Sequence, residues 1–177
     1  MNNGLIISFL LLFVFILLAI VISLLTSVIF SPSVHTPRKL LAEIIRLINP
    51  KDFDIVYDLG SGDGRILIAM RKYAKIKGFG YDISPIIVLF SKISRFFNLK
   101  LDHNLEFDVA NIFSLKLKTP DIVYVFQPER ILTILERKFE KELKNVRVFT
   151  YKHKFEKKKF TKKYKLEDGT YLFEYKY

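Results

Sequence analysis

Hydrophobic and polar residues follow two different patterns along the chain. From Leu5 to Phe30 almost every residue is Leu, Ile, Val or Phe, and no charged residue occurs before Arg38. After Pro37, short apolar runs of strand length alternate with longer stretches in which apolar residues recur at helical spacing. The first pattern is typical of a single apolar helix, and the second predicts strands that alternate with helices.

The apolar segment is long enough to cross a bilayer, because a helix rises about 1.5 Å per residue and the hydrocarbon core is roughly 30 Å thick. We therefore predict a transmembrane helix over residues 1–30. A cleaved signal peptide is less consistent with the segment, since no basic residue precedes it and no small-residue cleavage site follows it. Arg38, Lys39 and Arg46 come after the segment, so the positive-inside rule places the rest of the chain in the cytoplasm.

The rest of the chain predicts a short linker and one domain. Residues 31–37 are turn formers, in which Thr36 is expected to cap the following helix and Pro37 to be its first residue. The domain covers residues 38–177. Its predicted strands are Ile55–Tyr57, Gly78–Tyr81, Leu105–Phe107, Asp121–Phe126 and Val146–Tyr151, followed by a hairpin of Lys163–Leu166 and Thr170–Tyr177. Its predicted helices are one ending near Asn49, then Arg65–Lys75, Pro85–Phe97 and Pro128–Leu143.

This alternation predicts an α/β fold. Its sheet is expected to be mostly parallel and covered by helices on both faces, with the C-terminal hairpin as an antiparallel edge.

The strongest chemical signal is the run from Val56 to Arg65, V-Y-D-L-G-S-G-D-G-R, in which a strand leads through a glycine-rich turn into a helix. Glycines allow such a turn and let a ligand lie against bare backbone, while amides at the helix start face that ligand. The last glycine comes one residue too early for a dinucleotide fingerprint. Asp58 stands just before the loop, where a carboxylate suits a ligand with a cationic end.

S-adenosylmethionine has that character, because it carries an ammonium and a sulfonium group. A plain strand–helix turn without a ligand is the alternative, but three glycines cost backbone entropy that such a turn need not spend. We predict that the cofactor is held by Asp58 and by the loop residues Gly60, Ser61, Gly62, Asp63, Gly64 and Arg65.

Acidic residues end the next two strands. Asp82, followed by Ile83, ends the second strand, where a carboxylate accepts hydrogen bonds from ribose hydroxyls. Asp108, followed by Val109, ends the third strand, where it would meet the adenine amino group. A role for Asp108 as a helix N-cap explains its position equally well.

The D-x-G-x-G-x-G loop and the two strand-end acids resemble class I methyltransferases over residues 55–177. The Thr36-Pro37 pair, a short helix and this loop, all behind one hydrophobic span, further resemble a family of small protein-lysine methyltransferases over about residues 32–149. That family includes the mitochondrial enzymes that act on the adenine nucleotide translocase and on the ATP synthase c-subunit, with archaeal and bacterial relatives. The resemblance implies a Rossmann-like sheet, S-adenosylmethionine as methyl donor and lysine as acceptor. The chain departs from the family in a shortened linker motif and a lysine-rich C-terminal part.

The acceptor is expected at the end of the fourth strand, beside the glycine loop. Many amino-group methyltransferases carry an Asn/Asp-Pro-Pro-aromatic motif there, whereas this chain has Phe126-Gln127-Pro128. Gln127 could offer a carbonyl oxygen to the amine and Phe126 a ring face to the methyl group or a cation. Capping of the next helix explains Gln127 equally well. The acceptor nitrogen must be neutral and in line with the methyl–sulfur bond, so positioning and desolvation are expected to supply most of the catalysis.

Charge and composition limit the kinds of partner that the chain is expected to bind. The chain carries 29 Lys and Arg against 18 Asp and Glu, a net charge of +11 that favours an anionic partner. It contains no cysteine, and His35, His103 and His153 are scattered, so we predict no metal site. The segment Lys152–Lys165 holds eight lysines and one acid. We predict that it contacts anionic lipid headgroups, with an acidic substrate or a solvated edge strand as alternatives and nucleic acid as the least consistent partner.

Together these features predict a protein-lysine methyltransferase that acts at a membrane. One alternative is methylation of a membrane-embedded small molecule such as a quinone or lipid precursor, which a large apolar pocket over the cofactor would favour. The other is a methyltransferase-like scaffold without catalysis, which the intact loop and both strand-end acids argue against.

Replacing Gly62 with a bulky residue, or Asp82 with Ala, is expected to abolish or strongly weaken cofactor binding. The first change blocks the turn and the second removes the acceptor of the ribose hydroxyls. Titration calorimetry with S-adenosylmethionine measures the effect, and unchanged affinity in both variants would contradict the assignment of this site.

Overall fold

The computed structural model describes residues 3–30, 35–100 and 102–177, and within the first helix the side chains of residues 4 and 6–21. By its internal contacts the chain divides into two compact units, Met1–Ser33 and Val34–Tyr177. Most of the predicted linker lies outside the described residues.

The first unit contains helix α1 (Asn3–Phe30). Its described side chains between Ile6 and Val21 are all exposed. Within the described part of the chain, no helix is both long enough and apolar enough to span a membrane, so the predicted transmembrane helix is not confirmed.

The second unit alternates strands and helices as its hydrophobic pattern predicts. The helices are α2 (Leu41–Ile48), α3 (Arg65–Tyr73), α4 (Pro85–Leu99) and α5 (Glu129–Glu142). The strands are β1 (Ile55–Leu59), β2 (Lys77–Asp82), β3 (Leu105–Val109), β4 (Ile122–Val125), β5 (Arg147–Tyr151), β6 (Lys162–Lys165) and β7 (Tyr171–Lys176).

All seven strands form one sheet in the order β3-β2-β1-β4-β5-β7-β6. Strands β1 to β5 run parallel, and β7 pairs antiparallel with both β5 and β6. This confirms the predicted Rossmann-like sheet with an antiparallel C-terminal edge. The strand order reverses between β1 and β4, so the connections that leave these two strands diverge and open a crevice at their carboxyl ends.

Two hydrophobic clusters cover the two faces of the sheet. Val56 of β1 and Tyr124 of β4 pack in the first cluster with apolar residues of α2, α3 and α4. Their neighbours Tyr57 and Val123 point to the other face and pack in the second cluster with residues of α5. The alternation of side chains along each strand thus supplies both cores, as expected for a parallel sheet covered on both sides.

The start of the second unit differs from the sequence prediction. A 3-10 turn, Arg38–Leu40, precedes α2, and Pro37 stands at its N-cap position without a side-chain hydrogen bond. The buried Thr36 hydroxyl instead pairs with the phenol of Tyr124, with 2.9 Å between the oxygens. The prediction of Thr36 as a helix cap is therefore wrong, because burial beside β4 gives its hydroxyl a tertiary partner.

The ring of Phe107 fixes how closely α3 and β2 approach each other. A Cβ atom at Gly64 would lie 2.6 Å from the Phe107 Cζ, and a Cβ atom at Gly80 would also collide with this ring. Glycine at both positions therefore lets the aromatic ring fill the space between the glycine loop and β2.

Gly80→Ala is expected to lower the free energy of unfolding by about 1–3 kcal/mol, the usual range for overpacking a core. Denaturant unfolding measures the loss. Combining the change with Phe107→Leu should recover part of it, because the smaller side chain makes room for the added methyl group. Strictly additive effects in the double variant would contradict a steric origin.

Candidate functional site

The glycine loop lies at the carboxyl end of β1 and is held against β2 by its backbone. The amides of Gly60 and Ser61 both donate to the Tyr81 carbonyl, at 2.8 and 2.9 Å. The Gly62 amide donates to one carboxylate oxygen of Asp82 at 3.3 Å. The end of β2 therefore sets the position of the loop, and each Asp82 oxygen keeps lone pairs for a further donor.

Side chains fill the space that the loop glycines leave open. Gly60, Gly62 and Gly64 all have positive φ, at 88°, 55° and 77°. A Cβ atom at Gly60 would collide with the Gln127 amide, and one at Gly62 would lie 3.1 Å from the His35 ring. Side chains of the protein thus lie on the Cβ side of Gly60 and Gly62, and contact of the loop backbone with the cofactor stays a prediction.

Asp58, in β1, is only 3% exposed. Among the described residues, the charged groups that act on its carboxyl group are the like charges of Asp82 and Asp63. Burial, together with the negative charges of Asp82 and Asp63, raises the pKa of Asp58 to about 8. A bound cation would offset both the desolvation and the repulsion, so this carboxyl group favours a ligand with a positive end.

Ser61 presents a second buried polar group in the same loop. Its hydroxyl oxygen has no hydrogen-bond partner within the described residues. An unpaired buried hydroxyl lowers the free energy of unfolding by about 1–3 kcal/mol, and a polar ligand that pairs with it would recover this loss. Asp58 and Ser61 therefore fit the polar methionine end of S-adenosylmethionine.

The ends of β2 and β3 combine carboxylates with exposed apolar side chains. The strands pair in register, with Tyr81 opposite Asp108 and Asp82 opposite Val109. Ile83 is 73% exposed and Val109 is 50% exposed, which is high for such side chains. The two apolar side chains can pack against the adenine ring, while the carboxylates can accept hydrogen bonds from the ribose hydroxyls and the adenine amino group. These residues therefore fit the adenosine end of the cofactor.

The alternative role of Asp108 as a helix N-cap is wrong. Turns follow β3, and in the described chain the next helix is α5, which begins at Glu129. Asp108 instead lies near Lys92, with 3.3 Å between the Nζ and a carboxylate oxygen.

Asp63 and Arg65, both predicted to bind the cofactor, form a two-pronged ion pair with each other. Two guanidinium nitrogens donate to the two carboxylate oxygens at 2.7 and 2.8 Å. The third donates to the Thr36 carbonyl at 2.9 Å. Burial would raise the pKa of Asp63, but the hydrogen bonds and charge of Arg65 hold it below its usual value. The pair thus connects the loop to the segment before α2, and contact with the cofactor stays a prediction.

Phe126 and Gln127, the predicted acceptor residues, lie in different environments. Phe126 is 7% exposed and packs edge to face against Tyr151, with ring centroids 4.6 Å apart. The ring therefore packs in the core, which argues against the prediction that its face is open to the methyl group or to a cation. The Gln127 amide nitrogen lies over Gly60 and 3.5 Å from the Leu59 carbonyl oxygen. Pro128, without a side-chain cap, stands at the N-cap of α5, so Gln127 does not cap that helix.

The segment before α2 contributes residues to the site that the sequence analysis missed. His35 lies over Gly62, and Thr36 pairs with Tyr124. Burial raises the pKa of Tyr124 well above its usual value even though the hydrogen bond with Thr36 lowers it, so the phenol stays neutral. The Thr36-Pro37 pair was visible in the sequence, but only the folded chain shows that it packs beside the glycine loop.

The basic segment Lys152–Lys165 leaves the carboxyl end of β5 and continues into the edge strand β6. The buried Glu136 of α5 holds it, because its carboxylate accepts hydrogen bonds from the amides of Lys157 and Lys158. The Lys163 ammonium lies 3.8 Å from the ring centroid of Tyr171, a cation–π contact. Contact of this segment with lipid stays a prediction.

Comparison with known proteins agrees with this geometry. A family model described as the ANTKMT methyltransferase domain matches residues 58–162. The chain is 30% identical over 142 residues to a protein-lysine N-methyltransferase of Saccharolobus islandicus, an alignment that covers 78% of this chain and 86% of that protein. It is 28% identical over 117 residues to the human lysine N-methyltransferase of the ATP synthase c-subunit, an alignment that covers 64% of this chain and 48% of that relative.

Solved structures share the fold. An RNA methyltransferase from Salinibacter ruber in complex with S-adenosyl-L-homocysteine superposes with a TM-score of 0.75 at 21% identity, over 81% of this chain and 93% of that chain. A precorrin-6y C5,15-methyltransferase from Geobacter metallireducens reaches a TM-score of 0.62 at 13% identity, over 81% and 90% of the two chains. At these identities the likeness concerns the sheet and its helices.

Asp58→Asn is expected to stabilise the protein without cofactor. The unfolded chain ionises this group near pH 3.8, whereas the folded chain keeps its proton up to about pH 8. The folded state therefore loses stability as the pH rises through this window, and the penalty is complete above it. Thermal melts should show a higher Tm for the variant at the alkaline end of the window and no difference at the acidic end.

The same substitution should weaken S-adenosylmethionine binding about tenfold or more, the loss expected for one charge-assisted hydrogen bond. Calorimetry of the unsubstituted protein should also show affinity rising with pH up to about 8, as the carboxylate becomes available. Asp63→Asn is the control: it removes the ion pair with Arg65 and should lower the Tm. A variant at Asp58 that melts and binds like the unsubstituted protein at every pH would contradict the role given to this carboxyl group.

Proposed function

Because the chain belongs to the ANTKMT methyltransferase domain family and is an S-adenosylmethionine-dependent methyltransferase, we propose that it transfers a methyl group to the side-chain amine of a protein lysine. The observation that carries the proposal is the buried Asp58 carboxyl group, without a cation partner, beside the glycine loop. Lysine as the acceptor is supported by the activities for which the relatives are named, and these relatives include an archaeal protein close to this chain in length.

The cofactor would lie along the carboxyl ends of β1, β2 and β3. Asp58 and Ser61 would hold its methionine end, Asp82 its ribose, and Asp108 with the apolar Ile83 and Val109 its adenine. The bound cofactor supplies an electrophilic methyl group on a sulfonium. The protein residues bind and orient it, and their burial excludes water from the charged end.

The acceptor amine would enter beside Gln127. A lysine ammonium has no lone pair for the displacement, so it must lose its proton to solvent before the methyl group moves. The Gln127 side-chain oxygen offers a neutral acceptor to the N–H groups of the amine, since the amide nitrogen points to the Leu59 carbonyl. Orientation of a neutral amine is therefore the function that we assign to Gln127.

We also propose that the protein works at a membrane, with the second unit on the cytoplasmic side. Two features support this location: the exposed apolar side chains between Ile6 and Val21, and the basic residues Arg38 and Lys39 that follow this region in the sequence. Flotation of the full chain with cell membranes, combined with protease protection of its C-terminus, tests the location. Recovery in the soluble fraction would contradict it.

The acceptor is identified by incubating the full chain with methyl-labelled S-adenosylmethionine and membranes of the source cell. We expect the label in a protein band, on a lysine located by mass spectrometry. Label in the lipid extract would overturn the proposal and favour a small-molecule acceptor. An Asp82→Ala chain serves as the control, because its loss of label distinguishes enzymatic transfer from chemical methylation.

Gln127→Ala is expected to lower kcat about 10- to 100-fold, because a hydrogen bond to a nitrogen that becomes charged is worth about 1.5–3 kcal/mol. Cofactor affinity should change little, because the side chains assigned to the cofactor are those of Asp58, Ser61, Asp82, Asp108, Ile83 and Val109. Initial rates and calorimetry on the same preparation separate the two effects. Glu129→Gln, two residues away and with a largely exposed side chain, is the matched control, and an equal loss of kcat in both variants would contradict the assignment.

A further inference from the structure

Helix α4 carries a stripe of large apolar side chains on its exposed face. They recur at helical spacing and are between 42% and 79% exposed: Leu89, Phe90, Ile93, Phe96 and Phe97. Lys92 borders these apolar residues and is also exposed. We call these five apolar residues the α4 stripe. A contiguous apolar surface of this kind marks a contact site in proteins that are otherwise polar outside.

Packing within the second unit does not explain the stripe. The face of α4 that meets the sheet is a separate one, formed by Ile87, Val88 and Ser91, all of them buried. Helix α4 thus has one apolar face for its own core and a second one without a partner in the described chain. The phenylalanine rings at 96 and 97 pack on each other, with centroids 5.7 Å apart, and still leave Phe97 79% exposed.

Cationic side chains lie beside the stripe. The exposed Lys92 lies at its edge, with its ammonium 3.3 Å from an Asp108 carboxylate oxygen, and Lys100 follows the helix at its C-terminal end. Lys72 of α3 reaches the same end, where its ammonium donates to the Asn98 side-chain oxygen at 2.7 Å. An apolar surface with a rim of lysines is complementary to a bilayer whose headgroups are anionic, because the side chains enter the acyl boundary while the ammonium groups stay at headgroup level.

We propose that the α4 stripe docks on the surface of a lipid bilayer that contains anionic headgroups. A second copy of the chain fits less well, because a symmetric contact through α4 would bring the same lysines of two strongly basic chains together. The inference rests on the proposed location at a membrane and extends it, since it assigns a second contact besides α1.

The docked helix places the cofactor site relative to the membrane. Helix α4 begins at Pro85, only three residues after Asp82 at the end of β2. A bilayer that covers the α4 stripe therefore brings the adenosine end of the site close to the headgroups. Methyl transfer would then favour lysines near the membrane surface over those of proteins in solution.

The chain contains no tryptophan, so Phe97→Trp introduces a single fluorescent reporter into the stripe. The full-length variant is reconstituted in phosphatidylcholine vesicles with or without phosphatidylglycerol, and with or without brominated acyl chains that quench tryptophan. We expect blue-shifted emission and quenching of at least about twofold by brominated lipid, with stronger quenching when phosphatidylglycerol is present. Ile134→Trp, on an exposed position of α5 over the other face of the sheet, should stay unquenched.

Emission of the Phe97→Trp chain that stays solvent-like in vesicles would overturn the proposal. So would a blue shift that depends on protein concentration and not on brominated lipid, which would indicate self-association. Flotation of the same samples separates this outcome from the proposed location: a chain that floats while its tryptophan reporter stays unquenched retains a membrane location without α4 docking. Phe96→Ser combined with Phe97→Ser should reduce the quenching of a Leu89→Trp reporter while S-adenosylmethionine affinity stays unchanged, because neither phenylalanine lies in the cofactor site.

Discussion

One backbone carbonyl, that of Tyr81, holds the glycine loop in the position on which the site depends. It accepts hydrogen bonds from two successive amides of the loop, and the next residue along β2, Asp82, accepts a third. The loop comes this close to β2 because Gly80 and Gly64 have no side chains and the Phe107 ring lies against both. The end of β2 thereby fixes the position of the glycine loop at the carboxyl end of β1.

Two partly independent parts of the chain complete the site around this centre. The segment before α2 is tied to the loop by the Asp63–Arg65 pair and to β4 by the Thr36–Tyr124 contact. The second part is Gln127, which follows β4 and lies over Gly60. The buried carboxyl group of Asp58 is desolvated and is repelled by the charges of Asp82 and Asp63, which favours a cationic ligand and makes the site less stable without one.

Hydrophobic periodicity in the sequence predicted the strands and helices of the second unit well. The strand ends that carry Asp58, Asp82 and Asp108 were found because an acid after a buried run stands out. The prediction of Asp108 as a helix cap was wrong because turns, and not a helix, follow β3. The predictions for Thr36 and Phe126 were wrong or were disfavoured because their partners, Tyr124 and Tyr151, are distant in the sequence and left no local signal.

The sequence by itself determined the fold class, the glycine loop and the order of the strand-end acids, since these follow from local spacing and from how parallel strands must connect. Only the tertiary structure decided that Asp58 is buried without a cation, that Arg65 serves Asp63 and Thr36, and that α4 has an apolar face without a partner in the described chain. The physical reason is that burial and pairing depend on contacts between residues far apart in the chain. A pattern along the sequence shows that a helix such as α4 has apolar residues, but only packing shows which of them the core uses.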